Sequence, residues 1–180
     1  MSGLSFESVV EEFYMPLYRF ALSLSRNQAD AGDLTQQTFY IWARKGHQLR
    51  DSTKTKTWLF TTLYREFLAQ KRRDDRFTET DDETKFVEPL HAPATVVDTL
   101  DGAIVQEALH ALPDSYRAPV TLFYMQQHSY REIAEILGIP IGTVMSRISR
   151  GKAELRKTLL DFAGDAARKT VPMGGGRENG

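Results

Sequence analysis

The stretch HSYREIAEILGIPIGTVMSRISRGKAELRK, residues 128–157, decides how the chain is read. Ser129 and Glu132 stand in the S-x-x-E arrangement that closes a capping box, which satisfies two otherwise unpaired N–H groups at a helix start. Ile133, Ala134 and Leu137 then line one face of a short helix. Gly138 allows the positive φ that ends it. Ile139 plugs the turn, and Pro140 falls in the first turn of the next helix, where a missing donor costs nothing. Val144, Ile148, Gly151 and Leu155 form the buried stripe of that second helix, and small Ala134 lets the two helices cross closely. The spacing predicts a helix-turn-helix.

The face opposite Val144 and Ile148 carries Gly142, Met145, Ser146, Ser149 and Arg150, flanked by Thr143 and Arg147, with Lys152 further along. A helix fits the major groove, where Arg and Ser reach base edges or phosphates. An αα-hairpin with an ordinary wet face is the plain alternative. Three signals coincide here: the capping box, the Leu-Gly-Ile turn and a basic second helix. The set points to DNA binding.

Upstream, helical patterning begins at Leu100, continues through Ile104, Ala108 and Leu112, and stops at Pro113. Asp114 or Ser115 is the expected cap of a following helix through Met125. Pro119 lies inside that segment, so the helix must begin late or bend there. Before this, residues 74–98 hold two prolines, many acids and little periodicity, the pattern of a linker.

The front of the chain reads as three helices. Phe6, Val9, Val10, Phe13, Leu17, Phe20, Ala21 and Leu24 give one long amphipathic helix with Pro16 as a bend point. A second runs from about Asp30 to Lys45, with Gly46 as its stop. A polar basic loop, 47–56, leads to a third from about Thr57 into Arg73. That loop and helix combine Arg50, Lys54, Lys56, Arg65, Lys71 and Arg72 with Phe60 and Tyr64. Cations interleaved with rings suit single-stranded nucleic acid, with charge tracking phosphates and rings stacking bases. Trp58 and Phe60 also fit a buried stripe.

Charge is segregated along the chain. Residues 44–73 have a net charge of +7, residues 74–101 of −7 and residues 136–160 of +4, although the whole chain sums to −1. Basic blocks concentrate polyanions, and an acidic connector competes for the same surfaces. Cysteine is absent, which removes disulfides, thiolate metal sites and cysteine nucleophiles together. His47, His91, His110 and His128 show no metal-ligand spacing, and there is no phosphate-binding glycine loop. Neither an enzyme nor a metal or other cofactor is expected. The N-terminus lacks a signal-peptide pattern, and no apolar run approaches the ~18 residues a membrane span needs.

In four blocks the chain resembles bacterial RNA polymerase sigma factors of the small extracytoplasmic-function (ECF) group of the sigma-70 family. The blocks are ADAGDLTQQTFYIWAR (29–44), TWLFTTLYREFLAQKRR (57–73), ALPDSYRAPVTLFY (111–124) and the helix-turn-helix. They stand in the family's order and cover about residues 6–160. The resemblance implies an all-α protein of two small helical domains. Residues 1–75 would be a region 2-like domain, 76–99 a flexible acidic linker, 100–162 a region 4-like domain and 163–180 a disordered tail. It implies a cytoplasmic alternative sigma factor that binds core RNA polymerase and promoter DNA and is held by an anti-sigma factor. Asp33, Leu34, Gln36, Gln37 and Phe39 would dock on the clamp of the largest subunit, and the second-largest subunit would offer its flap. Arg50, Lys54, Lys56, Phe60, Tyr64, Arg65, Lys71 and Arg72 would melt and read the −10 element. Thr143, Met145, Ser146, Arg147, Ser149, Arg150 and Lys152 would read the −35 element. The chain departs from the family pattern at Gly32, Gln37, Tyr64-Arg65 and Met145, which points to an unusual promoter.

The rival is a helix-turn-helix regulator with a helical sensing domain, which would need a pocket or receiver-like strands. No strand alternation precedes residue 100. In the free chain the two domains are expected to pack together, with the acidic connector against a basic face, until polymerase separates them.

Overall fold

The computed structural model describes residues 5–78 and 100–169. The side chains of residues 77, 78, 100, 101 and 165–169 lie outside that description. Residues 79–99 of the expected linker, most of the expected tail, His91 and the acids at 81–83 fall outside the described residues as well, while the linker's expected first residues, 76–78, belong to the third helix. Within them the chain forms helices α1 (Phe6–Ser25), α2 (Gln28–Lys45), α3 (Thr55–Thr78), α4 (Leu100–Ala111), α5 (Asp114–Val120), α6 (Tyr130–Leu137) and α7 (Ile141–Lys169).

Local chemistry sets the ends. The Ser5 hydroxyl accepts the Ser8 N–H and starts α1. Asn27 starts α2, its side-chain oxygen accepting the N–H groups of Ala29 at 2.8 Å and Asp30 at 3.1 Å. The helix therefore begins ahead of Asp30. Asp30 in its first turn and Arg44 and Lys45 in its last complement the helix dipole. Gly46 does end α2, but its φ is −60°, so conformational freedom is not the reason. A Cβ there would sit 2.6 Å from the Trp42 ring, so the position must stay bare for the indole. The loop that follows is wound into two short 3₁₀ turns, Gly46–Gln48 and Ser52–Lys54.

α1, α2 and α3 bury Val9, Phe13, Leu17, Phe20, Leu34, Phe39, Trp42, Leu59, Phe60 and Leu63 together. The same apolar cluster continues into the C-terminal half through Ala118, Leu122, Ile133, Ile136, Val144 and Ile148. The two halves therefore share one core, with α6 against α3 and α5 against α1. A smaller cluster of Leu109, Leu112 and Val120 ties α4 to α5.

The start of α5 differs from expectation. Pro113 occupies the cap position without a side-chain hydrogen bond, and Asp114 is engaged elsewhere. Its carboxylate accepts from Arg117, a guanidinium buried to 2% exposure. Arg117 also donates to the carbonyls of Leu109, His110 and Leu112, the last turn of α4 and the residue after it. Carbonyls at a helix end lack intrahelical partners, and a cation there also meets the negative end of the helix dipole. One arginine thus fastens α4 onto α5. After Pro119 the backbone widens into a π-helical turn, Thr121–Met125, the irregularity that the proline announced.

α7 continues to Lys169, well beyond the boundary expected at 162. Ala163, Ala166, Ala167 and Arg168 are good helix formers, which accounts for the extension. Gly151 sits where α7 crosses α5, and a Cβ there would lie 2.5 Å from a Val120 methyl and 3.0 Å from the Tyr116 Cβ. Gly151→Ala should therefore destabilise the chain by about 1–3 kcal/mol through overpacking. Gly32→Ala, in α2 with nothing within 4 Å, should stabilise it by about 0.5–1 kcal/mol. Urea unfolding midpoints of the two variants should move in opposite directions.

Candidate nucleic-acid interface

The helix-turn-helix forms as its residue pattern predicts. The Ser129 hydroxyl accepts the Glu132 N–H at 3.3 Å, and Glu132 accepts the Ser129 N–H at 2.7 Å. Gly138 adopts φ 65° and its N–H reaches the Ala134 carbonyl. Val144 and Ile148 are buried, so the opposite face of α7 is turned outward. Met145, Ser146, Ser149, Arg150 and Lys152 are exposed, with Met145 at 50%. Thr143 and Arg147 are half-buried at the edge. The Ser146 hydroxyl donates to the Thr143 carbonyl at 3.1 Å, which leaves its lone pairs available to a base or phosphate donor.

The residues expected to read the −10 element separate into two groups. At 100° per residue, Lys56, Phe60, Tyr64 and Lys71 form one stripe of α3, and Arg65 and Arg72 lie on the opposite side. Arg65 and Arg72 are exposed, as are Arg50 and Lys54 in the preceding loop. Arg65 lines an open groove of ≈ 500 Å³ with Lys45, Gln48 and the half-buried Trp58.

The stripe faces the C-terminal half. Phe60 is fully buried between Phe20 and His128, with ring centroids 5.4 and 4.7 Å away, so it has no surface to give a base in this arrangement. Its contact partner lies 68 residues away in sequence, and helical spacing alone could not reveal it. Lys56 Nζ donates to the Gln126 carbonyl. The Thr57 hydroxyl donates to Glu132 at 3.3 Å. Lys71 Nζ donates to Asp114 at 3.2 Å, and Arg26 approaches the same carboxylate at 3.7 Å. Burial pushes the Tyr64 hydroxyl pKa up, against the pull of nearby Arg147 and Lys71.

His128 sits in this seam at 2% exposure with no hydrogen-bond partner on either ring nitrogen. Burial lowers its pKa to about 4, helped by Lys56 and opposed by Glu132. Burial acts to raise the Glu132 carboxyl, but the hydrogen bonds from Ser129, with His128 and Thr57 adding to them, outweigh it and hold that group low.

On α2, Asp33, Gln36 and Gln37 are exposed, whereas Leu34 and Phe39 are buried in the core at 3% and 6%. The outward row therefore excludes the two apolar residues and includes Tyr40, which the sequence reading passed over. Tyr40 accepts a hydrogen bond from Arg44, whose guanidinium lies 5.7 Å from the ring centre. Its place in the same face at i+3 and i+4 from Gln37 and Gln36 was the available signal. Asp33, Gln36, Gln37 and Tyr40 line a groove of ≈ 830 Å³ with Glu66, Gln70 and Arg73 of α3. Among the described residues no cluster of His, Asp and Glu is arranged to hold a metal ion, and no helix is long and apolar enough to cross a membrane.

Two family models match the chain: sigma-70 region 2 over residues 9–77 and sigma-70 region 4 over residues 103–155. The ECF RNA polymerase sigma factor SigW of Bacillus subtilis is 30% identical over 174 residues, 88% of this chain and 90% of that protein. SigE of Mycolicibacterium smegmatis is 35% identical over 169 residues, 91% of this chain, which spans 65% of that longer relative. Among solved structures, the sigma factor RpoE of Bartonella quintana, crystallised with the anti-sigma factor NepR, superposes with a TM-score of 0.77. It is 31% identical and covers 86% of this chain and 96% of its own. CnrH, solved with the cytosolic domain of CnrY, gives a TM-score of 0.60 at 25% identity over 87% of each chain. The chain belongs to the ECF group of RNA polymerase sigma factors, proteins that direct polymerase to promoters. The region 2 match occupies the place where the rival reading needs a sensing domain, and that reading is not favoured.

Two measurements bear on the interface. Arg150→Ala should change preference at one or two base pairs of the bound duplex, at about 1–3 kcal/mol. A uniform loss across all sequences would mark Arg150 as a phosphate contact instead. The second concerns pH. The folded pKa of His128 lies below its unfolded value, so the neutral ring favours folding fully above about pH 6.5. That contribution is lost as pH falls from there toward about 4. The charged groups facing it are Lys56 and Glu132, and hydrogen bonds from Ser129 hold the Glu132 carboxyl below its ordinary value. Urea midpoints at pH 7 and pH 5 should differ less in His128→Leu than in the natural chain.

Proposed function

We propose that the chain acts as an alternative sigma factor whose α7 reads the −35 element, whose α3 and its preceding loop engage the −10 element, and whose α2 docks on core polymerase. The observation that carries this reading is the recognition helix itself. A capped turn holds α7 rigidly by its buried Val144–Ile148 face, which leaves Met145, Ser146, Ser149 and Arg150 outward together. Single-stranded −10 DNA finds Arg50, Lys54, Arg65 and Arg72 exposed beside Trp58, with Lys56, Tyr64 and Lys71 on the other side of α3.

The outward row of α2, Asp33, Gln36, Gln37 and Tyr40, offers polar contacts to the clamp of the largest subunit. Leu34 and Phe39 act from beneath by fixing the helix. The flap of the second-largest subunit is a further contact of the C-terminal half. An anti-sigma factor is a fitting partner because the similar RpoE was solved in complex with the anti-sigma factor NepR, and the similar CnrH with the cytosolic domain of CnrY. The chain works in the cytoplasm, with polymerase, and needs no cofactor of its own.

Transcription from candidate promoters by purified core polymerase, with and without the chain, tests the reading. Asp33→Ala combined with Gln36→Ala should weaken core binding several-fold without shifting the unfolding midpoint, since both side chains are exposed. Unchanged affinity in a core-enzyme pull-down would remove α2 as the docking helix.

A further inference from the structure

The outward face of α7 is not uniform. At 3.6 residues per turn, Gly142, Ser146 and Ser149 form a row of small side chains opposite the buried Val144 and Ile148. Thr143, Arg147 and Arg150 lie along one side of that row, and Ile141 and Met145 along the other. A Cβ on Gly142 would meet nothing within 4 Å, so the row is open to whatever approaches it. The face therefore has two edges, one cationic and one apolar.

The apolar edge faces outward, with Ile141 at 44% exposure and Met145 at 50%. A single exposed apolar side chain is ordinary on a protein surface. These two stand one turn apart on the same edge, within the first two turns of the helix. It is the N-terminal part of a recognition helix that meets base edges in the major groove. Neither side chain can donate a hydrogen bond to a purine or accept one from an exocyclic amine. The one base feature in the groove that matches them is the C5 methyl of thymine. A cytosine in that place would set its N4 donor against a side chain with no acceptor to offer. A polar group shut off from water without a partner weakens the complex. The same edge thus favours thymine and disfavours cytosine.

We infer that Ile141 and Met145 are specificity-determining residues that read thymine methyl groups, so that the −35 element carries two thymines on one strand beside the pair read by Arg150. The inference rests on the reading of α7 as the −35 helix. The two residues are separated by about 6 Å along the helix axis at ~1.5 Å per residue. One to two base-pair steps span about 3–7 Å at ~3.4 Å per pair, which makes the two thymines neighbours or next neighbours. The small row between the edges lets the helix backbone approach the groove floor. Both edges then reach bases, with Arg150 directed at guanine O6 and N7 and the apolar edge at the methyl groups.

The experiment uses holoenzyme assembled from core polymerase and the natural chain, which selects duplexes from a promoter pool randomised across the −35 region. The selected sequence should hold the thymine pair. Synthetic duplexes of that sequence are then made with deoxyuridine in place of each thymine in turn, which removes the methyl and keeps the base pair. Deoxyuridine at either of two positions should weaken binding by about four-fold, the effect of one buried methyl-sized group. Met145→Ala holoenzyme should lose the response at one of these positions and keep it at the other. Ile141→Ala should do the reverse. Both side chains are exposed and alanine suits a helix, so the urea midpoints should stay close to that of the natural chain.

A selected sequence that Arg150→Ala alters, but in which deoxyuridine costs nothing at any position, overturns the inference and leaves the reading of α7 standing. So does a deoxyuridine penalty of equal size in the natural, Met145→Ala and Ile141→Ala holoenzymes, since the methyl would then act through the shape of the duplex. A preference unmoved by Arg150→Ala, Met145→Ala and Ile141→Ala overturns the reading of α7, and the inference with it.

Discussion

Arg117 is a cation with almost no contact with water, and the C-terminal half is arranged around keeping it charged. A buried guanidinium is tolerable only when its donors are paired. Three carbonyls at and just beyond the end of α4 and the Asp114 carboxylate meet that demand. This fixes the angle between α4 and α5, which sets where Val120 lies, which in turn dictates that residue 151 of the crossing helix be glycine. The recognition helix is therefore positioned by a chain of contacts that starts at one side chain. Asp114 carries the effect across the seam, because the carboxylate that satisfies Arg117 also meets Lys71 and Arg26.

The parts of the chain that sequence made legible are those whose signals are local. The capping box, the left-handed Gly138 and the buried face of α7 all follow from residues a few positions apart. The same holds for the three front helices to within two residues at the starts of α2 and α3, although α3 runs on to Thr78, five residues past its expected end at Arg73. What was not legible depends on partners far along the chain. Leu34 and Phe39 looked like parts of a docking motif and are core residues, because the motif's apolar members pack inward while its polar members face out. Gly46 was rightly placed as a stop, but the reason is the indole of Trp42 beneath it, which no backbone rule supplies. Phe60 looked like a base-stacking ring, and its face is taken by His128. The acidic connector was expected to shield a basic face, and residues 79–99 of it lie outside the described residues; Lys71 of that face meets Asp114 of the C-terminal half.

The charge segregation takes on a more specific meaning with the structure in view. The +7 block does not form a single basic surface, since α3 divides it into an outer side with Arg65 and Arg72 and a seam side with Lys56 and Lys71. Net charge by segment predicts where polyanions concentrate. It does not predict which cations are free to meet them, because that depends on which helix face another element covers.

The balance at the seam is the remaining constraint. Two halves with apolar faces left open would expose Phe60 and Ile133 to water. The apolar contacts of Phe60, Leu122 and Ile133 favour closure. His128 opposes it, since neither ring nitrogen has a hydrogen-bond partner and the Glu132 carboxylate stands 3.9 Å from Nδ1, and a buried polar group left unpaired costs about 1–3 kcal/mol. The rim pairs at Asp114 are exposed and contribute only ~0–1 kcal/mol each. An apolar residue of similar shape at 128 would make the seam between the halves more stable.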